Sequence, residues 1–158
     1  MFLCIFVAKK KLQLNFPVYD LKTKNEDGKK LIYDPIRKKF VSLTPGEWVR
    51  QHVLCFLVQT KQYSSNLIAV EREIKFNTLK KRFDILVFDK NSKPFMLIEC
   101  KAFDIELTPQ TLRQIATYNM VFKVPYLFIS NGLNHMLFKL NEENKYLQTD
   151  VFPEINKI

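Results

Sequence analysis

Arg82-Phe-Asp-Ile-Leu-Val-Phe-Asp-Lys-Asn-Ser-Lys-Pro-Phe-Met-Leu-Ile-Glu-Cys-Lys101 is the stretch that decides the fold. It reads as two strands, residues 83–88 and 95–101, joined by the polar turn 89–94. Both strands are apolar at nearly every position, so both faces should be covered by other layers. Yet Asp84 starts the first strand, and Glu99 and Lys101 end the second. Charged groups rarely enter such strands unless paired or functional. Side chains alternate along a strand, so Glu99 and Lys101 share a face. Antiparallel pairing about a turn centred near 91–92 brings Asp84 level with residues 99–101. A slip of one residue would send the acids to opposite faces.

That trio has a chemical logic. Two hard carboxylate ligands suit magnesium or manganese, which keep water and take phosphate oxygens. Such an ion polarises a phosphate and lowers the pKa of a bound water. The ammonium can orient that water or stabilise developing charge, and it helps keep the acids ionised. The competing reading is ordinary sheet decoration, because D…ExK spacing is permissive.

Working outward, Leu67–Phe76 alternates as a strand and residues 77–81 turn the chain. Thr44 is a good N-cap, Pro45 suits the first helical position, and Glu47 completes a capping box. The helix should run to about residue 61, with Trp48, Val49, Leu54, Cys55 and Val58 inward. Before it, Asp27-Gly28 signals a hairpin, and residues 31–33 and 39–42 are short strands. After the central hairpin, Thr108-Pro109 starts a second helix carrying Leu112, Ile115, Ala116 and Met120 at helical spacing. Strands follow at 126–130 and 136–140, across Asn131-Gly132. The order demands an α/β (α+β) fold: a mixed central sheet flanked by helices, with an N-terminal β extension. It divides into an extension (1–43) packing on the core, the core (44–142) and a peripheral tail (143–158). Met1–Ala8 is apolar but too short to span a bilayer; it reads as a strand, or as a leader from an upstream start codon.

The chain of 158 residues suits one domain with its own core. Lys and Arg number 25 against 16 Asp and Glu, a net charge of +9 that fits a polyanion: nucleic acid first, an anionic membrane surface second. A generally basic proteome would give the same number. Cys4, Cys55 and Cys100 are isolated, and His52 and His135 have no ligand spacing, which argues against zinc. Unpaired cysteines fit a cytoplasmic, reducing compartment. No run is long enough for a membrane span, and no P-loop GxxxxGK[ST] is present, so this chain carries no translocating motor.

Asp84 with Glu99-Cys-Lys101 resembles the PD-(D/E)XK nuclease superfamily, with Phe83 in place of the leading proline. Six ordered blocks go further. Leu43-Thr-Pro-Gly-Glu-Trp-Val-Arg-Gln51, Lys81-Arg-Phe-Asp84, Lys93-Pro94, Ile98-Glu-Cys-Lys101, Gln114-Ile-Ala-Thr-Tyr118 and Ser130-Asn-Gly132 together resemble the N-terminal nuclease domain of type I restriction enzyme R subunits, in a small stand-alone form. Gly46 stands where relatives usually have a second acid. The resemblance implies a restriction-endonuclease-like core and a Mg2+-dependent endodeoxyribonuclease, with Mn2+ able to substitute. Asp84 and Glu99 would bind the metal and Lys101 would serve the catalytic step. Glu47 would complete the metal site, although the capping box alone also explains it. Gln114 and Tyr118, at i and i+4, match a QxxxY motif that supports the site and the DNA; an amphipathic helix edge explains them equally. Arg82, Arg113 and Gln114 are candidate DNA contacts; for the two arginines, ordinary surface charge is an equal explanation. Glu71 and Glu73 read as structural, with Glu71 the one that could approach the site. Partners would be DNA and either a second copy or other restriction or repair subunits, with no membrane. Two alternatives stay open: a non-catalytic nucleic-acid-binding or assembly module with the same fold, and an RNA-directed nuclease.

Overall fold

The computed structural model describes residues 12–155. The expectations for Met1–Ala8 and Cys4 fall outside them. The described residues form two sheets. The first is an antiparallel meander of β1 (Thr23–Glu26), β2 (Lys29–Asp34) and β3 (Lys39–Ser42). Its first turn is Asp27-Gly28, with φ of 48° and 75°. Two left-handed residues in a two-residue loop match the twist of the flanking strands. The second sheet has six strands in sequence order: β4 (Ile68–Phe76), β5 (Leu79–Phe88), β6 (Pro94–Cys100), β7 (Tyr126–Ser130), β8 (His135–Leu140) and β9 (Tyr146–Gln148). Among the described strands, only β6 and β7 run parallel. Their crossover contains helix α2 (Pro109–Phe122). Helix α1 (Pro45–Cys55) precedes β4 and continues into a π-helical turn, Phe56–Thr60.

The apolar strands face two layers, as their composition requires. On one face Ile85, Val87, Met96, Ile98 and Phe128 pack with Trp48, Val49, Val53 and Leu54 of α1. Leu14 and Ile32 from the N-terminal region join that same core. On the other face Leu86, Leu97, Leu127 and Ile129 pack with Ile115 of α2. The mixed sheet with helices on both faces is therefore the fold that the sequence pattern indicated. No helix among the described residues is long and apolar enough to cross a membrane.

Three local expectations change. Strand β5 begins at Leu79, so only Asn77 and Thr78 turn the chain. Asn77 takes the left-handed conformation, φ 54°, that so tight a turn needs. The segment expected as a peripheral tail supplies β9, which pairs with β8. Beyond it Ile155 is buried, and the Tyr63 hydroxyl donates to the Pro153 carbonyl at 2.6 Å. The capping box forms only in half. Thr44 Oγ1 accepts from the Glu47 amide at 3.1 Å, but the Thr44 amide donates to the Ser42 carbonyl. The Glu47 carboxylate is left for other partners.

Candidate active site

The hairpin register sets the site. Ile85 pairs with Ile98, Leu86 with Leu97 and Val87 with Met96. Continuing that register by one step sets Asp84 opposite Glu99. The ladder changes there: Asp84 Oδ2 accepts the Cys100 amide hydrogen at 2.8 Å. The Lys101 ammonium donates to Glu99 Oε1 at 3.3 Å, and the Lys101 amide donates to the Ser130 carbonyl at 2.8 Å. Burial raises the Glu99 pKa, and the nearby Asp84 charge raises it further; Lys101 and Lys81 pull it back. Burial likewise lowers the Lys81 pKa against the pull of Glu99. The three residues singled out by the sequence thus lie together at the open end of the hairpin.

Asp84 joins two halves. Alternation from Leu97 places Glu99 on the α2 side of the sheet. On the α1 side a second cluster meets Asp84 through Arg50. Arg50 Nη2 donates to Asp84 Oδ1 at 2.8 Å, and its Nη1 reaches Glu47 Oε2 at 2.9 Å and Glu71 Oε1 at 3.1 Å. Arg37, from the turn after β2, bridges three more oxygens: Asp34 Oδ2 at 2.7 Å, Glu47 Oε1 at 2.8 Å and Glu71 Oε2 at 2.8 Å. Gln51 Nε2 donates to Asp34 and to Glu47, each at 2.9 Å. Asp34 is fully buried, and its Oδ1 accepts the amides of Ile36 and Arg37. Burial opposes the charge on Arg50, but Asp84 and Glu47 outweigh it and raise its pKa. Burial also opposes ionisation of Glu71, yet Arg82, Arg50 and Arg37 together lower its pKa. A cleft of about 600 Å³ opens over this cluster, between β3 and the start of α1, with Lys39 and Phe40 on one wall.

Other site candidates are placed as follows. Glu47 reaches Asp84 by way of Arg50, and both of its oxygens are engaged by Arg37, Gln51 and Arg50. Arg82 is largely exposed and pairs with Glu71 at 2.7 Å. Arg113 is exposed on α2, and Gln114 and Tyr118 occupy the same helix. Reading the sequence missed Arg37, Asp34 and Arg50, and underrated Glu71. Arg50 left a signal, since it stands three residues after Glu47 on one helical face. Glu71 left none: its φ of 53°, inside a strand, is what turns it toward the site.

Among the described residues no three His, Cys, Asp or Glu side chains form a ready metal cage. The donors at the hairpin end are two carboxylates, Asp84 and Glu99. Burial first, and the Asp84 charge second, raise the Glu99 pKa; a bound cation would favour the ionised form of both acids. Hard oxygen donors with basic groups around them fit magnesium or manganese better than zinc.

Fold and site define a class: a mixed-sheet α/β domain with two acids and a lysine at the open end of a central hairpin. The family described as "Type I restriction enzyme R protein N terminus" matches residues 45–155, and the chain belongs to that family. No curated protein matches it. One solved structure that does is a fragment described as an HsdR subunit of a type I restriction enzyme from Vibrio vulnificus YJ016. Identity is 18% over 73% of this chain, with a TM-score of 0.49. This chain covers 25% of that one.

Proposed function

We propose that the chain is a metal-dependent nuclease of the PD-(D/E)XK type that hydrolyses DNA phosphodiester bonds in the cytoplasm, alongside other restriction subunits. The observation that carries this is the level placement of Asp84 and Glu99, with Lys101 bonded to Glu99. Asp84 and Glu99 would hold Mg2+ or Mn2+. When bound, the ion supplies Lewis acidity to the phosphate and an acidified water. Lys101, fixed by its amide to Ser130, holds its ammonium where charge develops on the phosphate. Arg50 holds the Asp84 carboxylate in place through the 2.8 Å contact to its Oδ1. Glu47 acts through Arg50, and a ligand role for it requires release from Arg37, Arg50 and Gln51. Arg82, Arg113 and Gln114 are the phosphate contacts, Arg82 exchanging Glu71 for DNA. Tyr118 takes the supporting role that the QxxxY resemblance implies.

One observation favours a second reading. Arg50 occupies an oxygen of Asp84, as it would in a non-catalytic DNA-binding module. Incubating DNA with Mg2+, Mn2+ or EDTA separates the two. The nuclease reading expects cleavage with either metal, none with EDTA, and a loss of at least about 100-fold in Asp84→Asn and Lys101→Ala. Binding without cleavage under all three conditions supports the module. Labelled RNA in the same tube tests the third alternative.

A further inference from the structure

The hairpin of β4 and β5 extends beyond the site. β6 pairs with β5 only from Ile85 to Phe88, whereas β4 pairs with it down to Leu79. Among the described residues, 72–83 therefore form a two-stranded ribbon with no third strand beside it. Such ribbons are marginal in water unless something covers or uses them. This one carries Arg72, Lys75, Lys80, Lys81 and Arg82 against a single acid, Glu73. Lys75 pairs directly with Lys80. Like charges directly opposite in a ladder are destabilising. Arg72, Lys75, Lys80 and Arg82 are exposed. A repulsive arrangement retained beside a cluster of acids marks a surface shaped for a ligand rather than for stability.

We propose that residues 72–83 form an arm that lies in the major groove of duplex DNA and holds the backbone beside Asp84 and Glu99. DNA as the partner rests on the nuclease reading above. The geometry suits it. Five residues per strand reach roughly 17 Å, and the turn of two residues keeps the tip narrow. The major groove of B-form DNA, about 12 Å wide, admits a two-stranded ribbon. The deep, narrow major groove of A-form RNA does not. The ribbon begins one residue past Glu71 and ends one residue before Asp84, so groove entry and phosphate placement are one event.

The test is binding of labelled DNA duplex to the full chain in EDTA, by fluorescence anisotropy over a salt series. The double variant Lys75→Gln/Lys80→Gln is compared with Lys90→Gln/Lys139→Gln, which removes the same charge from exposed positions elsewhere. Loss of two phosphate contacts should weaken binding roughly thirtyfold near physiological salt and lower the salt slope by about 1.8. The control pair should stay close to the parent chain. The arm variant should unfold no earlier on heating, because a repulsion is removed. Double-stranded RNA of the same sequence should bind the parent chain more weakly and be indifferent to the arm variant. Equal losses in the two variants, or equal losses for RNA and DNA, overturn the arm. EDTA makes the outcome independent of cleavage: a failed nuclease reading leaves arm binding intact, and a failed arm leaves metal-dependent cleavage intact.

Discussion

Arg50 holds the two halves of the site together. Its guanidinium touches Asp84, Glu47 and Glu71 at 2.8–3.1 Å and is largely shielded from water. Arg50→Met would leave those carboxylates facing one another. Removing one partner of a buried pair costs about 3–5 kcal/mol. Arg37 remains on Glu47 and Glu71, and Asp84 is partly exposed, so the expected loss is nearer 2–3 kcal/mol. Urea denaturation in EDTA measures it. Adding Mn2+ should stabilise the variant more than the parent chain, because the ion supplies the missing positive charge; an equal Mn2+ effect in both would sink that expectation. At this scale the sequence revealed what periodicity can show. Alternation brought Asp84, Glu99 and Lys101 forward as candidates; Glu47 came forward as a cap residue, and as a site candidate only through the family resemblance. Arg37 and Asp34 come from the meander, and their approach to Glu47 depends on how two sheets meet. Glu71 depends on one left-handed residue within a strand. Neither fact has a local signature.

Among the elements, turn geometry separates two glycines. Gly28 and Gly132 both have positive φ, 75° and 85°. A Cβ on Gly28 would meet nothing within 4 Å, whereas one on Gly132 would lie 2.8 Å from Leu14 Cδ1 and 3.1 Å from Val49 Cγ2. Gly132 also donates to Ser130 Oγ at 2.9 Å, and its carbonyl accepts from the Asn15 amide at 2.7 Å. Gly28→Ala should cost the backbone term alone, about 1–2 kcal/mol. Gly132→Ala should add overpacking and reach roughly 2–4 kcal/mol. Equal losses in urea melts would mean that the N-terminal segment yields freely at Leu14. The central strands were legible because both faces are covered, which demands unbroken apolar runs. β9 was not, because an edge strand that half-buries only Tyr146 leaves no pattern. Its anchors are instead polar: the Tyr146 hydroxyl donates to the Val124 carbonyl and accepts from Asn119 Nδ2, both at 2.6 Å. The start of β5 was hidden likewise, since residues 77–81 read as a turn until the pairing of Leu79–Lys81 with β4 is known.

At the scale of the molecule, the family match starts at Pro45, yet the structure does not divide there. Leu14 and Ile32 are buried in the same core as Trp48 and Val49. Arg37 pairs with Glu47 and Glu71, and Asp34 accepts from Gln51. His135 Nε2 faces the Asn15 carbonyl at 2.8 Å; a carbonyl only accepts, so this nitrogen carries the proton and fastens the N-terminal segment to β8. Thr44, the cap of α1, also precedes the matched segment. Cutting the chain before Pro45 removes two buried aliphatic side chains, each worth about 1.5–3 kcal/mol. It removes a cap worth about 1 kcal/mol, and it strips Glu47 of a guanidinium partner in a largely buried position. These losses together approach the whole stability of an ordinary domain, about 5–15 kcal/mol. Residues 45–158 alone should therefore show no cooperative urea transition by circular dichroism, while the full chain shows one. A cooperative transition at the same midpoint would make the meander an accessory. Its absence would mean that the segment outside the family match holds the carboxylates of the α1 side in place, so that the arrangement around Asp84 depends on both parts of the chain.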